Sequence, residues 1–264
     1  MKVVTRRAFA FIELLVVIGV IALLIGILVP TLARAKENAL RASCLSNLRV
    51  VKDALNHYAN QYAGRVPIGY HVTRQCNQLI WNHRDRQFQV FGWIHRSGVL
   101  ADPSALFCPA ETDARFLQGT EQNPWPPGEG VTASRSTVAG YGMRPETPLP
   151  DESWPQPSPR TATTRPLSVP RITDFKEQAI IADLSDCMAR LDSRHWRGVN
   201  VLYADGAARF IRRDVIEPML VGVREPELPP DPTMPVTRPA ASTQPYLGEF
   251  DDAMLSLWKR FDER

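Results

Sequence analysis

The sequence lacks the short motifs by which many enzyme classes are recognised. It contains no G-x-S-x-G nucleophile turn, no G-x-x-x-x-G-K-[ST] phosphate loop and no H-E-x-x-H zinc helix. Its 264 residues include only four cysteines, and no two of them form a C-x-x-C pair, which argues against a zinc ribbon or a thioredoxin-like redox centre. We therefore predict that the protein is not an enzyme.

The sequence also has no excess of charge beyond its first few residues. It carries 31 basic and 28 acidic residues, and three of the basic ones, Lys2, Arg6 and Arg7, lie within the first eight positions. The rest of the chain holds 28 residues of each sign, whereas a protein that neutralises phosphates keeps a basic surface. Nucleic acid is therefore not an expected partner.

Proline, by contrast, is abundant. The chain has 23 prolines, where average usage would give roughly 13. They cluster between 124 and 170 and between 218 and 245. We predict a long irregular surface excursion over 123–170 and a proline-rich tail over 218–264.

The tail also contains a helical pattern near its end. Apolar side chains recur there at helical spacing and predict a short amphipathic helix, which docks on its own domain or on a partner subunit. These residues are Phe250, Met254, Leu257, Trp258 and Phe261.

One long apolar run dominates the N-terminus. Residues 9–29 read FAFIELLVVIGVIALLIGILV, and Glu13 is their only ionisable residue. As a helix this run would be about 31 Å long, enough to cross a bilayer core of about 30 Å. The basic residues of segment 1–8 would keep the N-terminus in the cytoplasm and send the chain outward. Pro30-Thr31 follows where a secretory signal would carry a small-residue cleavage site.

The helical pattern continues beyond the apolar run. Apolar side chains recur every three or four residues from Leu45 to Tyr62, and Ala63-Gly64 and Pro67 then mark a helix end. We predict one helix over 9–62, with a transmembrane part at 9–29, followed by a domain at 63–217.

The domain shows short strand patterns. We expect irregular strands between 79 and 99, including Trp93-Ile94, and a buried strand at Ala179–Asp183. The segment from His195 to Ile211 alternates like a hairpin, with Val199, Val201 and Tyr203 on one face and Asp205-Gly206 in the turn.

The N-terminal residues carry a resemblance to a known family. The segment Arg7-Ala8-Phe9-Ala10-Phe11-Ile12-Glu13-Leu14 resembles the type III signal of type IV prepilins and type II secretion pseudopilins. The resemblance implies that a prepilin peptidase cuts between Ala8 and Phe9 and methylates the new amine of Phe9. Glu13 is then the fifth mature residue, where the family pairs it with the amine of a neighbouring subunit. Two positions depart from the usual pattern, Ala8 in place of glycine and Ala10 in place of threonine.

A second resemblance comes from the hairpin. His195, nine further residues and then Asp205-Gly206 resemble the signature of a large family of G-type pseudopilin-like proteins. The pieces Asn47-Leu48-Arg49 and Phe107-Cys108-Pro109 are also similar to segments of that family. The resemblance implies an α+β, pilin-like fold in which a long transmembrane helix packs on a small antiparallel sheet with long irregular insertions.

The same resemblance implies a function and a location. The expected protein is a structural pilin or pseudopilin subunit of a type II secretion-like filament, with the prepilin peptidase, other pilin subunits and an inner-membrane assembly platform as partners. It would cross the inner membrane once, with a cytoplasmic N-terminus and a periplasmic domain. The alternative is a minor pilin that binds DNA, surfaces or exported protein.

Metal and disulfide chemistry stay open at this stage. No cofactor is expected except calcium, which occurs in some related pseudopilins and for which Asp183, Asp186 and Asp205 are candidate oxygen ligands. Disulfide pairing is undetermined among Cys44, Cys76, Cys108 and Cys187. For His195 and Asp205 we expect a structural hydrogen bond across the hairpin, with metal binding by the pair as the alternative.

Overall fold

The protein combines a long N-terminal helix with small antiparallel sheets. This confirms the predicted α+β class. The computed structural model describes residues 11–68, 78–83, 86–128, 135–144, 170–183, 188–221 and 256–263. The chain divides within the first helix, so that residues up to Leu40 form one unit and residues from Arg41 onward form another.

Helix α1 runs from Phe11 to Gln61. Its end follows the sequence signal, because Ala63 and Gly64 both adopt positive φ and the Gly64 N–H donates to the Ala59 carbonyl at 2.7 Å. The Ala59 carbonyl also accepts from the Tyr62 N–H at 3.2 Å, so both bonds close the last turn. Proline at position 30 lies inside the helix, where the Thr31 hydroxyl donates to the Leu28 carbonyl at 2.7 Å.

The first sheet is small and has the strand order β2–β1–β3. Its strands are β1 (Leu79–Asn82), β2 (Gln87–Phe88) and β3 (Thr137–Val138). Helix α2 (Phe91–Arg96) follows β2, so the prediction of a strand at Trp93-Ile94 was wrong. Gly92 allows the chain to approach β1 closely here, because a Cβ at this position would lie 1.9 Å from the Ile80 carbonyl oxygen. Tertiary contact thus overrides the strand propensity of the aromatic and β-branched residues.

The second sheet has four antiparallel strands in the order β4–β5–β6–β7. The strands are β4 (Tyr141–Met143), β5 (Ala179–Asp183), β6 (Gly198–Tyr203) and β7 (Ala208–Arg212). The predicted strand at Ala179–Asp183 and the predicted hairpin are both confirmed. All residues of β5 and β6 are buried, which agrees with their nearly continuous apolar sequence.

Two predicted boundaries need correction. The excursion at 123–170 is not irregular throughout, because β3 and β4 lie inside it and Tyr141 and Met143 are fully buried. The sequence did not predict these two strands, because they are only two and three residues long and many prolines surround them. The tail does not begin at 218, because Pro218 lies within helix α4 (Arg213–Leu220).

The main apolar core covers one side of the second sheet. Val199, Val201 and Tyr203 share this side, as their alternation predicts. Helix α3 (Met188–Ser193), helix α4 and a last helix α5 (256–262) complete the core. Leu257, Trp258 and Phe261 are buried in it, so this part of the tail docks on its own domain; Phe250 and Met254 lie outside the described residues.

The second part of α1 packs against the same sheet. The Tyr141 hydroxyl of β4 donates to the Cys44 Sγ atom at 3.4 Å, and the Arg41 guanidinium lies 4.3 Å from the centre of the Phe210 ring of β7. These contacts help to place a group of buried polar side chains between α1 and β5.

Candidate functional site

The first candidate site is the apolar part of α1. Residues 11–36 are all exposed, and large apolar side chains such as Ile12, Leu24 and Leu28 keep 60–69 % of their surface accessible. By length and composition this helix can cross a bilayer. Glu13 lies in its first turn. The predicted cleavage position between Ala8 and Phe9 lies outside the described residues.

The second candidate site is the His195 to Gly206 hairpin. Gly206 adopts φ 91°, and the Asp205 carboxylate accepts a hydrogen bond from the Ala207 N–H at 2.9 Å. Asp205-Gly206 therefore forms the turn, as predicted. His195, however, stands before β6 and Asp205 after it, and six strand residues span about 20 Å. The expected hydrogen bond between the two is therefore wrong.

His195 instead belongs to a buried group of four side chains. Their ligand atoms all lie within 4.8 Å of one another, and each residue is at most 3 % exposed. The Nε2 atom of His195 lies 3.5 Å from the Cys108 Sγ atom and 3.9 Å from the Asp183 Oδ2 atom. We call this group the buried cluster: Cys44, Cys108, Asp183 and His195.

Each member of the buried cluster is held by a different segment. Cys44 comes from α1, Cys108 from the loop after a 3-10 helix at Pro103–Leu106, and Asp183 from the end of β5. Asn47, one turn after Cys44, donates from its side chain to the Phe107 carbonyl at 3.0 Å and fixes the loop against the helix. His195 is placed by the loop that leads into β6, where its carbonyl accepts from the Gly198 N–H at 2.9 Å.

Burial sets the electrostatics of the cluster. It raises the pKa of the Cys44 thiol and of the Asp183 carboxyl, although His195 and the Asn200 backbone N–H lower the pKa of Asp183 in part. The hydrogen bond with Cys44 lowers the pKa of the Cys108 thiol to about 7, and His195 adds to that effect. The two neighbouring thiols therefore have pKa values shifted in opposite directions.

A buried ion pair lies next to the cluster in sequence. The Arg194 guanidinium contacts the Glu111 carboxylate and donates to the Gly140 carbonyl at 2.9 Å, with both charged side chains at most 2 % exposed. Phe116 covers the guanidinium at 5.2 Å from its ring centre. The pair fixes the start of the His195 loop to the loop after Cys108.

The calcium prediction does not agree with this geometry. Asp183 is buried among sulfur and nitrogen donors, whereas Asp205 is exposed at the far end of β6. Calcium requires six or more oxygen ligands. Asp186 lies outside the described residues, and the other two predicted ligands are not brought together.

The structure describes two of the four cysteines whose disulfide pairing the sequence left undetermined. Cys44 and Cys108 lie side by side in the buried cluster as free thiols. Cys76 and Cys187 lie outside the described residues. A weak signal for the proximity of these two thiols was present, because Cys44 precedes and Cys108 belongs to a segment similar to the pseudopilin-like family. Their spacing in the sequence did not connect them.

Comparison with known proteins found no match to a family model, a curated protein or a solved structure.

Proposed function

We propose that the protein is a pilin-like structural subunit, processed by a prepilin peptidase and assembled through α1 into a filament of a type II secretion-like system. The observation that carries the proposal is the exposed apolar surface of residues 11–36 in a helix that continues directly into a compact domain. A water-soluble domain does not keep so large an apolar surface exposed unless a bilayer or a partner covers it.

Glu13 supports assembly rather than simple anchoring. A carboxylate within a membrane helix is costly and takes a partner. If cleavage removes residues 1–8, the new amine of Phe9 is a cation that a neighbouring subunit can present to Glu13, where charge pairing is stronger than in water. The pair would set the axial register of the subunits.

The second part of α1 supports the same arrangement. Cys44, Leu48, Val51 and Leu55 are fully buried against the domain, whereas residues 11–36 are exposed. The first part of α1 would thus contact a membrane or filament core, and its second part packs on the domain. The four-stranded sheet gives this domain its own apolar core.

The test is co-expression of the full chain with a prepilin peptidase, followed by mass spectrometry of the N-terminus and recovery of sheared filaments. We expect a mature chain that begins with methylated Phe9. Glu13→Ala should still be processed but should lose filament recovery by at least tenfold, whereas the control Glu37→Ala on the same helix should assemble normally. An intact Met1 in the membrane fraction, or normal assembly of Glu13→Ala, would contradict the proposal.

A further inference from the structure

The buried cluster has the donor set and spacing of a metal centre. Four side chains that can act as metal ligands converge from positions far apart in the chain. Cys108 and His195, for example, are separated by 87 residues. Burying a carboxylate and an imidazole in an apolar core is costly, and coordination of a metal is one way in which proteins compensate for that cost. We propose that the buried cluster binds one zinc ion in a tetrahedral structural site, independently of the proposed assembly function.

The four ligand atoms all lie within 4.8 Å of one another, somewhat wider than a tetrahedral zinc shell. Zinc bonds of about 2.3 Å to sulfur and about 2.0–2.2 Å to nitrogen and oxygen place neighbouring ligand atoms roughly 3.3–3.8 Å apart. The Cys108 Sγ to His195 Nε2 distance is 3.5 Å, and the His195 Nε2 to Asp183 Oδ2 distance is 3.9 Å. A small inward movement of the side chains closes this shell around an ion.

The ligand types select zinc. Two thiolates, one imidazole and one carboxylate suit zinc, whereas calcium and magnesium prefer all-oxygen sites. Four protein ligands leave no open position, and the cluster is buried on every side, so the site is structural rather than catalytic.

Neighbouring groups orient the ligands. The Tyr141 hydroxyl donates to the Cys44 Sγ atom at 3.4 Å, and the Asn200 backbone N–H donates to the Asp183 Oδ2 atom at 2.7 Å. Such second-layer hydrogen bonds are a regular feature of metal sites. With two thiolates and one carboxylate the loaded site carries one net negative charge, and these two donors face it.

A disulfide between Cys44 and Cys108 is the competing chemistry. It would use only the two thiols and leave Asp183 and His195 to the contact that they make with each other at 3.9 Å. Zinc uses all four. Because the ligands come from α1, the Cys108 loop, β5 and the loop before β6, the ion would join the helix to the sheet.

The test uses the full chain, purified in detergent under reducing, oxygen-free conditions. We expect one zinc per chain by elemental analysis. Chelation should lower the melting temperature, and zinc but not calcium should restore it. Replacement by cobalt(II) should give thiolate-to-cobalt charge transfer and the strong visible bands of tetrahedral coordination.

Matched variants locate the site. Cys108→Ser and His195→Gln should abolish stoichiometric zinc, and Tyr141→Phe should weaken zinc binding by about 10- to 100-fold while retaining the tetrahedral spectrum. His57→Gln and Asp53→Asn, both on the exposed face of α1, should bind zinc as the parent chain does. If the ligand variants do not fold, the cobalt spectrum of the parent chain still decides.

Two results would overturn the inference. One is a chain purified without reductant that is lighter by two hydrogens and yields a Cys44–Cys108 linked peptide. The other is a reduced chain that takes up no zinc. Neither result bears on N-terminal processing or on filament recovery, so failure here is distinguishable from failure of the assembly proposal.

Discussion

The two units of this protein differ in which side chains depart from the usual pattern of burial. Residues 11–36 expose apolar side chains on every face, whereas the unit that starts at Arg41 buries charged or ionisable ones, among them Glu111, Asp183 and Arg194. Exposed large apolar surfaces and buried polar groups are the two informative exceptions to the rule that apolar residues lie inside. Each needs a compensating partner.

The partners differ in kind. Under the proposed function, the exposed helix finds its partner outside the chain, in lipid or in the helices of other subunits. The buried groups find their partners within the chain, as Arg194 does with Glu111 and Gly140. The comparison predicts that changes in the first unit alter insertion and assembly, while changes in the second alter folding.

The largest expected effect is on the buried ion pair. Glu111→Gln removes the carboxylate but leaves the Arg194 charge buried, and breaking such a pair on one side costs about 3–5 kcal/mol of unfolding free energy. Urea unfolding followed by tryptophan fluorescence measures this loss.

A double-mutant cycle sharpens that test. Adding Arg194→Met to Glu111→Gln removes the stranded charge, so the double variant should be more stable than the sum of the two single losses predicts. Glu263→Gln breaks the exposed pair with Arg260 and should cost less than about 1 kcal/mol. Equal losses for the buried and exposed pairs would mean that burial does not determine the cost.

The next effect compares one substitution at two positions of one helix. Leu48 is fully buried against the domain, and Leu24 is 60 % exposed. Leu48→Ala should lower the unfolding free energy by about 2–4 kcal/mol through lost contacts and a cavity. Leu24→Ala should change it by less than about 0.5 kcal/mol. Similar losses of unfolding free energy for the two variants in detergent would show that both parts of α1 contribute equally to the stability of the domain.

Local signals in the sequence predicted the parts of the fold that local chemistry determines. The end of α1 at Ala63-Gly64 and the turn at Asp205-Gly206 both depend on residues suited to positive φ, and both are confirmed. The helix at Phe91–Arg96 was missed because close packing of Gly92 on β1, which no local pattern shows, overrides propensity.

The buried cluster could not be predicted for the same reason. Its ligand atoms meet only after β5, β6 and α1 are packed, and its members Cys108 and His195 are 87 residues apart. The sequence singled out His195 and Asp183 separately, but it paired each with Asp205, a residue at the wrong end of β6. Which end of β6 a residue lies at decides whether it can reach His195 and Asp183, and sequence spacing alone did not show this.

A smaller effect concerns the attachment of α5. The Tyr203 hydroxyl of β6 donates to the buried Phe261 carbonyl at 2.8 Å. Tyr203→Phe keeps the ring in the core but takes the donor from that carbonyl, which should cost about 1–2 kcal/mol. Tyr62→Phe at the exposed end of α1 is the matched control and should be nearly neutral. An unchanged midpoint for Tyr203→Phe would show that water replaces the hydroxyl.

The smallest effect is a pH dependence at a partly buried pair. The pKa of the Asp113 carboxyl lies below its ordinary value of 3.8, because the Arg115 side chain donates to it at 2.8 and 3.0 Å; the Arg115 backbone N–H and the charge of Arg190 add to this, while burial opposes it. A carboxyl whose pKa is lower in the folded state stabilises the fold above 3.8, and that stability is lost as the pH falls through the lower folded value.

Asp113→Asn should therefore cost less than about 1 kcal/mol at neutral pH and should flatten the acid limb of the stability curve. Arg115→Met should flatten the same limb, because it removes the main cause of the shift. Urea midpoints measured from about pH 7 to about pH 2 check both variants, since that range brackets ordinary carboxyl titration. If the Asp113→Asn curve runs parallel to that of the parent chain throughout, the pair does not contribute and the charges that matter in this unit are the fully buried ones.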